Sequence, residues 1–311
     1  MHAVEAHDLH KRYRTRSGEM VAVDAVSLTA HEGEILGILG RNGAGKTTTV
    51  EMIAGIRSPD AGRVRVLGLD PQRDRAAVRQ VLGVQLQSGS LHGALTVQEI
   101  ARLFRTFYAT GADPDELVTT VGLDDQRDVR YEKLSGGQQQ RLAIVLALLG
   151  APRVVILDEL TTGLDPQSRR QIWSLVEGMR ADGVTVILVS HLMEEVERLC
   201  DRVTVLDAGR VVAHDTPAGL VASTGLAQRV RFRVHEPIPA GVLDRVPGLE
   251  AVDVAGEQVT VSGSGELLQE VSTALVHAGV VATETRLERA TLDDAFLALT
   301  GTPLEHQEAT S

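Results

Sequence analysis

Through about residue 213 the apolar positions alternate between two periods. Short, nearly continuous apolar runs at Glu34–Leu39, Arg63–Val66, Val154–Leu157 and Val184–Val189 predict buried strands. Between them, apolar residues recur at helical spacing over Thr47–Gly55, Val97–Tyr108, Gln138–Leu149, Pro166–Arg180 and Leu192–Asp201, predicting helices. Strands alternating with helices in this way imply an α/β protein with a parallel sheet covered by helices. Gly, Pro and Asp punctuate the junctions, as in SPDAG at 58–62 and GADPDE at 111–116.

The pattern changes after Asp215. DTPAGLVASTG (215–225) reads as a turn, a short helix and a linker. Beyond it, strands are expected at Arg229–Val234, Ala251–Val254, Val259–Ser262 and Val280–Arg286, with helices at Glu266–Ala278 and Leu292–Leu299. The expected organisation is a large domain over 1–222, a small α/β accessory domain over 223–302 and a flexible tail over 303–311. The length of 311 residues accommodates two domains. Hydrophobic residues at 43% can supply two cores, and aromatics at only 3% make those cores aliphatic. The net charge of −11 is uneven, with −7 of it in the last 89 residues. This acidity argues against coating nucleic acid, which needs clustered Lys and Arg, so no nucleic-acid partner is expected. A single cysteine, Cys200, excludes an intrachain disulfide and a thiolate metal cluster. The longest apolar stretches, Leu142–Leu149 and Val184–Met193, fall well short of the ~20 residues of a membrane-spanning helix. MHAVEAHDLHKRYR at the start carries no apolar signal region, so the chain is not expected to be secreted.

Chemistry enters at Gly40–Thr47, G-R-N-G-A-G-K-T, a complete G-x-x-x-x-G-K-[ST] phosphate loop between a strand and a helix. Gly40, Arg41, Asn42, Gly43, Ala44 and Gly45 form the loop. The small residues among them let consecutive N–H groups curl around phosphate oxygens, and the helix N-terminus adds positive potential. Lys46, one of only three lysines, supplies a point charge to the β and γ phosphates. The Thr47 hydroxyl suits Mg²⁺, and Thr48 adds a further phosphate contact. A second candidate is the acidic pair that ends the strand Val154–Leu157. At that sheet edge Asp158 is placed to hold Mg²⁺, and Glu159 to polarise an attacking water.

Residues Leu134–Arg141 read L-S-G-G-Q-Q-Q-R. With the phosphate loop before it and VVILDE after it, the chain resembles the ABC ATPases over residues ~3 to 222. The resemblance implies an ABC-type P-loop ATPase domain, with a RecA-like core, an antiparallel β subdomain and a helical subdomain. It implies ATP and Mg²⁺ as ligands. Tyr13 matches the aromatic that stacks on adenine. Gln87 matches the glutamine that contacts Mg²⁺ and water, and is preferred over Gln85 because it stands four residues after Gly83. Asp165, in Gly163-Leu164-Asp165, matches the residue that couples the two sites of a dimer, and His191 matches the histidine on the γ-phosphate. Leu134, Ser135, Gly136, Gly137 and Gln138 match the signature that contacts ATP held by the opposite subunit, with Ser135 well suited to cap the helix that follows. A head-to-tail homodimer is therefore implied. Two positions depart from the family pattern: Arg41 stands where Pro or Ser is usual, and Leu160 where Pro usually follows the glutamate.

The 89 residues from Lys46 to Ser135 leave no room for the long coiled-coil insertion of chromosome-maintenance relatives. The ending T-L-D-D-A-F-L-A-L-T-G (291–301), together with LDELTTGLDP (157–166) and GVQLQSGSL (83–91), resembles the daunorubicin-resistance type of ABC-2 multidrug exporters. That resemblance implies a separate ABC-2-type membrane permease as partner, with the stretch 88–96 as its contact. The chain would lie at the cytoplasmic face of the membrane, reaching it only through the permease. Two other expectations remain open: an ABC ATPase serving a non-transport membrane complex, and a slow nucleotide-gated binding protein.

Overall fold

A computed structural model describes residues 1–15, 18–86, 91–288 and 290–302. It divides into two compact units, Met1–Pro217 and Ala218–Gly301.

In the larger unit the order is β1 (His2–Thr15), β2 (Gly18–His31), β3 (Ile35–Gly40), α1 (Lys46–Ile53), β4 (Ala61–Val66), α2 (Arg75–Val81) and β5 (Leu82–Gln85). There follow α3 (Val97–Arg105), α4 (Pro114–Thr120), α5 (Gly136–Leu148), β6 (Val154–Asp158), α6 (Pro166–Ala181), β7 (Thr185–Ser190), α7 (Met193–Leu199), β8 (Arg202–Asp207) and β9 (Arg210–Asp215). Six strands form a sheet in the order β5-β6-β7-β3-β8-β9, parallel except for the last pair. Strands β3, β6 and β7 are buried along their whole length, which is why they read as unbroken apolar runs. A second, antiparallel sheet, β2-β1-β4, stands beside it. One apolar core runs between the two sheets, with Val50, Met52 and Ile53 of α1 packed against Val4, Leu9, Leu36 and Ile38.

Among the described residues, four of the seven helices of this unit begin where the chain supplies a side-chain cap. Thr96 and Glu99 close a capping box on α3, Ser135 and Gln138 another on α5, and Asp165 caps α6 ahead of Pro166. A buried ion pair ties the start of β3 to β8. Arg202 donates from Nε and a terminal nitrogen to the two Glu34 oxygens at 2.6 and 2.9 Å, while the His31 N–H adds a third bond at 2.6 Å.

The smaller unit opens in α8 (Pro217–Ser223) and continues through β10 (Gln228–Val234), β11 (Leu249–Ala255), β12 (Gln258–Gly263), α9 (Leu267–His277), β13 (Ala282–Glu288) and α10 (Leu292–Thr300). Its strands make an antiparallel sheet ordered β11-β12-β10-β13. Val230, Phe232, Val259 and Val261 on one face pack with Leu267, Val271 and Leu275 of α9.

Candidate functional site

The strand order sets up the site. Because β6, β7 and β3 are parallel neighbours, their C-terminal ends bring the loop after Gly40, the pair Asp158-Glu159 and His191 to one edge of the sheet. A cleft of about 450 Å³ opens there, lined by Tyr13, Met20, Val21, Ala22, Gly40, Arg41, Asn42, Gly43, Gly45, Lys46, Thr47, Thr48, Glu159 and His191. Its size is in the range of small-ligand sites.

The loop's curl has a steric cause. Gly45 has φ +96, and a Cβ there would stand 2.4 Å from the Ala22 carbonyl oxygen of β2. Conformation and close approach both demand glycine. Ala44 faces the core rather than the cleft: its N–H bonds Arg41 O at 3.1 Å, and its carbonyl accepts from Gly209 N at 3.2 Å. Lys46 opens α1, is only 5% exposed, and donates to the carbonyls of Gly40 at 2.8 Å and Arg41 at 3.1 Å. Burial pushes its pKa down, against the opposing charges of Glu159 and Asp158.

Asp158 ends β6 at 1% exposure. Neither of its carboxylate oxygens has a hydrogen-bond partner among the described residues. Its pKa is pushed up to about 6, first by burial and then by the charge of Glu159, with Lys46 opposing. A buried carboxylate without partners, flanked by the Lys46 ammonium and near the Thr47 hydroxyl, fits a Mg²⁺ ligand. Among the described residues no group of three or more His, Cys, Asp or Glu could cage a metal.

Glu159 adopts φ +50, the left-handed region that costs a non-glycine residue about 1 kcal/mol. The Glu159 N–H donates to Val189 O of β7 at 2.9 Å, which holds this conformation. Its Oε1 lies 3.6 Å from His191 Nδ1, both side chains partly buried. Leu160 is fully buried and meets the core where the family has proline. Tyr13 projects from β1 with its hydroxyl 3.4 Å from Thr48 Oγ1, and the Arg57 guanidinium lies 5.1 Å from its ring centroid.

None of Leu134–Gln138 lines this cleft. Ser135 instead closes the capping box on α5: its N–H donates to Gln138 Oε1 at 2.8 Å, and its Oγ accepts from Gln138 N at 3.3 Å. A Cβ on Gly136 would meet nothing within 4 Å, so that helix end is open. Asp165 accepts from the N–H groups of Gln167 and Ser168 and from the Ser168 hydroxyl. Gln87 lies outside the described residues, as do 88–90 of the expected permease contact. Gln85, the alternative, is buried and accepts the Asp158 N–H at 3.0 Å, extending the β5–β6 ladder by a side chain. Sequence reasoning also missed Met20–Ala22, Arg57 and Glu195. Glu195 had a readable signal, since it shares the inward face of α7 with Val196 and Leu199.

The family model for the ABC transporter matches residues 23–162. Over 320 residues the chain is 36% identical to the Daunorubicin resistance ATP-binding protein DrrA2 of Streptomyces coeruleorubidus, covering 99% of this chain and 98% of that protein. The chain belongs to the ABC transporter family. It is an ATPase subunit of transporters, and it binds ATP. The Nod factor export ATP-binding protein I of Paraburkholderia xenovorans is 36% identical over 312 residues, 97% of this chain and 98% of that one. An ATP-binding cassette solved as a dimer in a post-hydrolysis state with ADP and Pi aligns with TM-score 0.63 and 26% identity, over 68% of this chain and 98% of its own. An ATP-binding subunit of another ABC transporter aligns with TM-score 0.64 and 26% identity, over 72% and 93%. Among the described residues no helix is long and apolar enough to cross a membrane.

Proposed function

We propose that this chain powers an exporter: two copies close head to tail on two ATP molecules and drive a separate ABC-2-type membrane permease, with drug or antibiotic efflux as the task. The observation that carries the dimer is the incompleteness of the cleft. The phosphate loop, the carboxylates and His191 line or underlie it, while the capped helix end at Ser135–Gly137, open at Gly136, does not. A helix N-terminus with free amides is an anion site, and a second copy is what brings it to the γ-phosphate. Asp165, which accepts the Ser168 hydroxyl at the start of α6, is the residue that would couple the two sites. Near-full-length similarity to proteins named for daunorubicin resistance and Nod factor export supports the export reading.

Within each site Tyr13 stacks on adenine while Gly40, Arg41, Asn42, Gly43, Gly45, Lys46 and Thr48 hold the phosphates, Ala44 being turned to the core. Thr47, Asp158 and Gln87 would hold Mg²⁺, which would supply charge neutralisation on the phosphates. Glu159 orients the attacking water and draws its proton. His191 and Lys46 stabilise charge on the γ-phosphate. The division of labour assigns nucleotide chemistry to residues 1–222 and an accessory role to 223–302. The chain works at the cytoplasmic face of the membrane and reaches it only through the permease, which contacts the stretch 88–96.

Glu159→Gln tests the reading. It removes the base and keeps the shape. The variant binds ATP, loses hydrolysis by about 100-fold or more, and elutes as a dimer when ATP is present. Full activity, or a monomer at saturating ATP, overturns it.

A further inference from the structure

Glu195 is a carboxylate the reaction does not touch, yet it is 1% exposed. One oxygen, Oε1, accepts two hydrogen bonds: from the Thr161 hydroxyl at 2.8 Å and from the Trp173 indole N–H at 2.9 Å. The other, Oε2, is buried and has no hydrogen-bond partner among the described residues. A polar group held inside at this cost needs a reason. Its partners supply one. Thr161 stands two residues after Glu159, in the loop running to Asp165, and is itself buried. Trp173 belongs to α6, the helix that Asp165 caps. Glu195 belongs to α7, which begins directly after the His191 segment.

We propose that Glu195 is a positioning residue for hydrolysis. It ties the Glu159–Asp165 loop and α6 to the helix that follows His191, so that Glu159 and His191 keep their register. The Glu159 backbone is left-handed, held on one side by Val189 O and followed two residues later by Thr161, which Glu195 anchors. Glu195 lines no part of the nucleotide cleft, so it acts on turnover and not on ATP affinity. The inference rests on Glu159 and His191 forming the hydrolytic centre.

The test is steady-state ATP hydrolysis by the full chain, with kcat and KM separated. Glu195→Ala lowers kcat about tenfold or more, because small misplacements of reacting groups are expensive, and leaves KM for ATP within about twofold. Glu195→Gln keeps a carbonyl acceptor for both donors and restores most of the lost kcat. Should Glu195→Ala fail to fold, Thr161→Val removes one donor at nearly constant shape and lowers kcat in the same way. Combined with Glu195→Gln, it brings no larger drop than alone. Trp173 is the only tryptophan, so its emission reports the same cluster and shifts in the Glu195 variants. Folded Thr161→Val and Glu195→Ala proteins with unchanged kcat, or with KM rising in step, overturn the proposal. Glu159→Gln run alongside separates the failures: if it too stays active, the hydrolytic centre itself is misassigned.

Discussion

Asp158→Asn should make the nucleotide-free protein more stable while destroying its activity. Asp158 is almost fully buried, and neither carboxylate oxygen accepts a hydrogen bond among the described residues. Burial first, then the charge of Glu159, lifts its pKa from 3.8 to about 6. A rise of that size corresponds to about 3 kcal/mol spent on keeping the carboxylate ionised in the folded state. Asparagine removes the charge, but its buried amide leaves polar atoms unpaired, costing ~1 kcal/mol. The net expectation near pH 8 is a gain of about 2 kcal/mol. The sign of the pH dependence follows from the raised pKa. Below 3.8 the group is neutral in both states, so wild type carries no penalty there. The penalty grows through the window from 3.8 to about 6 and is complete above it. The advantage of the variant should therefore shrink as pH falls through that window. Urea unfolding in EDTA without nucleotide, followed by emission of Trp173, isolates the larger unit. ATP hydrolysis in the same variant should drop by about 100-fold or more, since the carboxylate proposed to hold Mg²⁺ is gone. A variant no more stable than wild type near pH 8, or equally displaced at every pH, refutes the reasoning.

Three further outcomes are expected. Glu34→Gln breaks the buried pair with Arg202 and should cost about 3 kcal/mol at neutral pH; burial raises the Glu34 pKa, but Arg202 and the His31 N–H outweigh it and hold it below 4.5. The wild-type advantage should thus be complete above 4.5 and fade as pH falls below it, which urea unfolding at several pH values checks. Gly45→Ala should abolish ATP binding and destabilise by about 2 kcal/mol or more, whereas Gly43→Ala, with φ +82 and open space around it, should cost only about 1 kcal/mol; equal losses in unfolding experiments would contradict the steric account. Cys200 is buried, and burial with the nearby charges of Glu195, Asp201 and Glu34 pushes its thiol far up, so maleimide should label it only in denaturant.

The phosphate loop was fully legible because its chemistry is contiguous in sequence and its flanking strand and helix are strongly patterned. The convergence of Asp158, Glu159 and His191 on it was legible at one remove, through short apolar runs that only a parallel sheet explains. The hydrophobic pattern of the first 31 residues predicts no strands. The structure gives the reason: β1 and β2 pair across several bulges, with Asp8 and Ala25 at positive φ, so the alternation that marks a half-buried strand keeps losing phase. That blindness hid Ala22, whose carbonyl makes Gly45 obligatory. In the smaller unit the six expected elements are present, but β13 begins at Ala282 rather than Val280, because the Val280 N–H closes onto Leu275 O at the end of α9 and pairing with β10 starts only at Ala282.

What the sequence ranks alike, the structure sorts by partners. Glu34, Asp158 and Glu195 are all carboxylates at the ends or faces of apolar elements, and all are nearly fully buried. Glu34 has a guanidinium and a backbone N–H across it; its charge is satisfied within the fold, and its work is to hold β3 and β8 together. Asp158 has no hydrogen-bond partner among the described residues; Lys46 offsets its charge only in part, and the fold bears a standing cost for keeping it ionised. Glu195 is intermediate, with one oxygen doubly engaged and the other not. The three are buried alike but differ in their hydrogen bonds, a pattern that fits a strut at Glu34, the proposed cation ligand at Asp158 and the proposed positioning group at Glu195. Neutralising each one should then give three different outcomes: lost stability at Glu34, gained stability with lost turnover at Asp158, and turnover that depends at Glu195 on whether an acceptor oxygen remains.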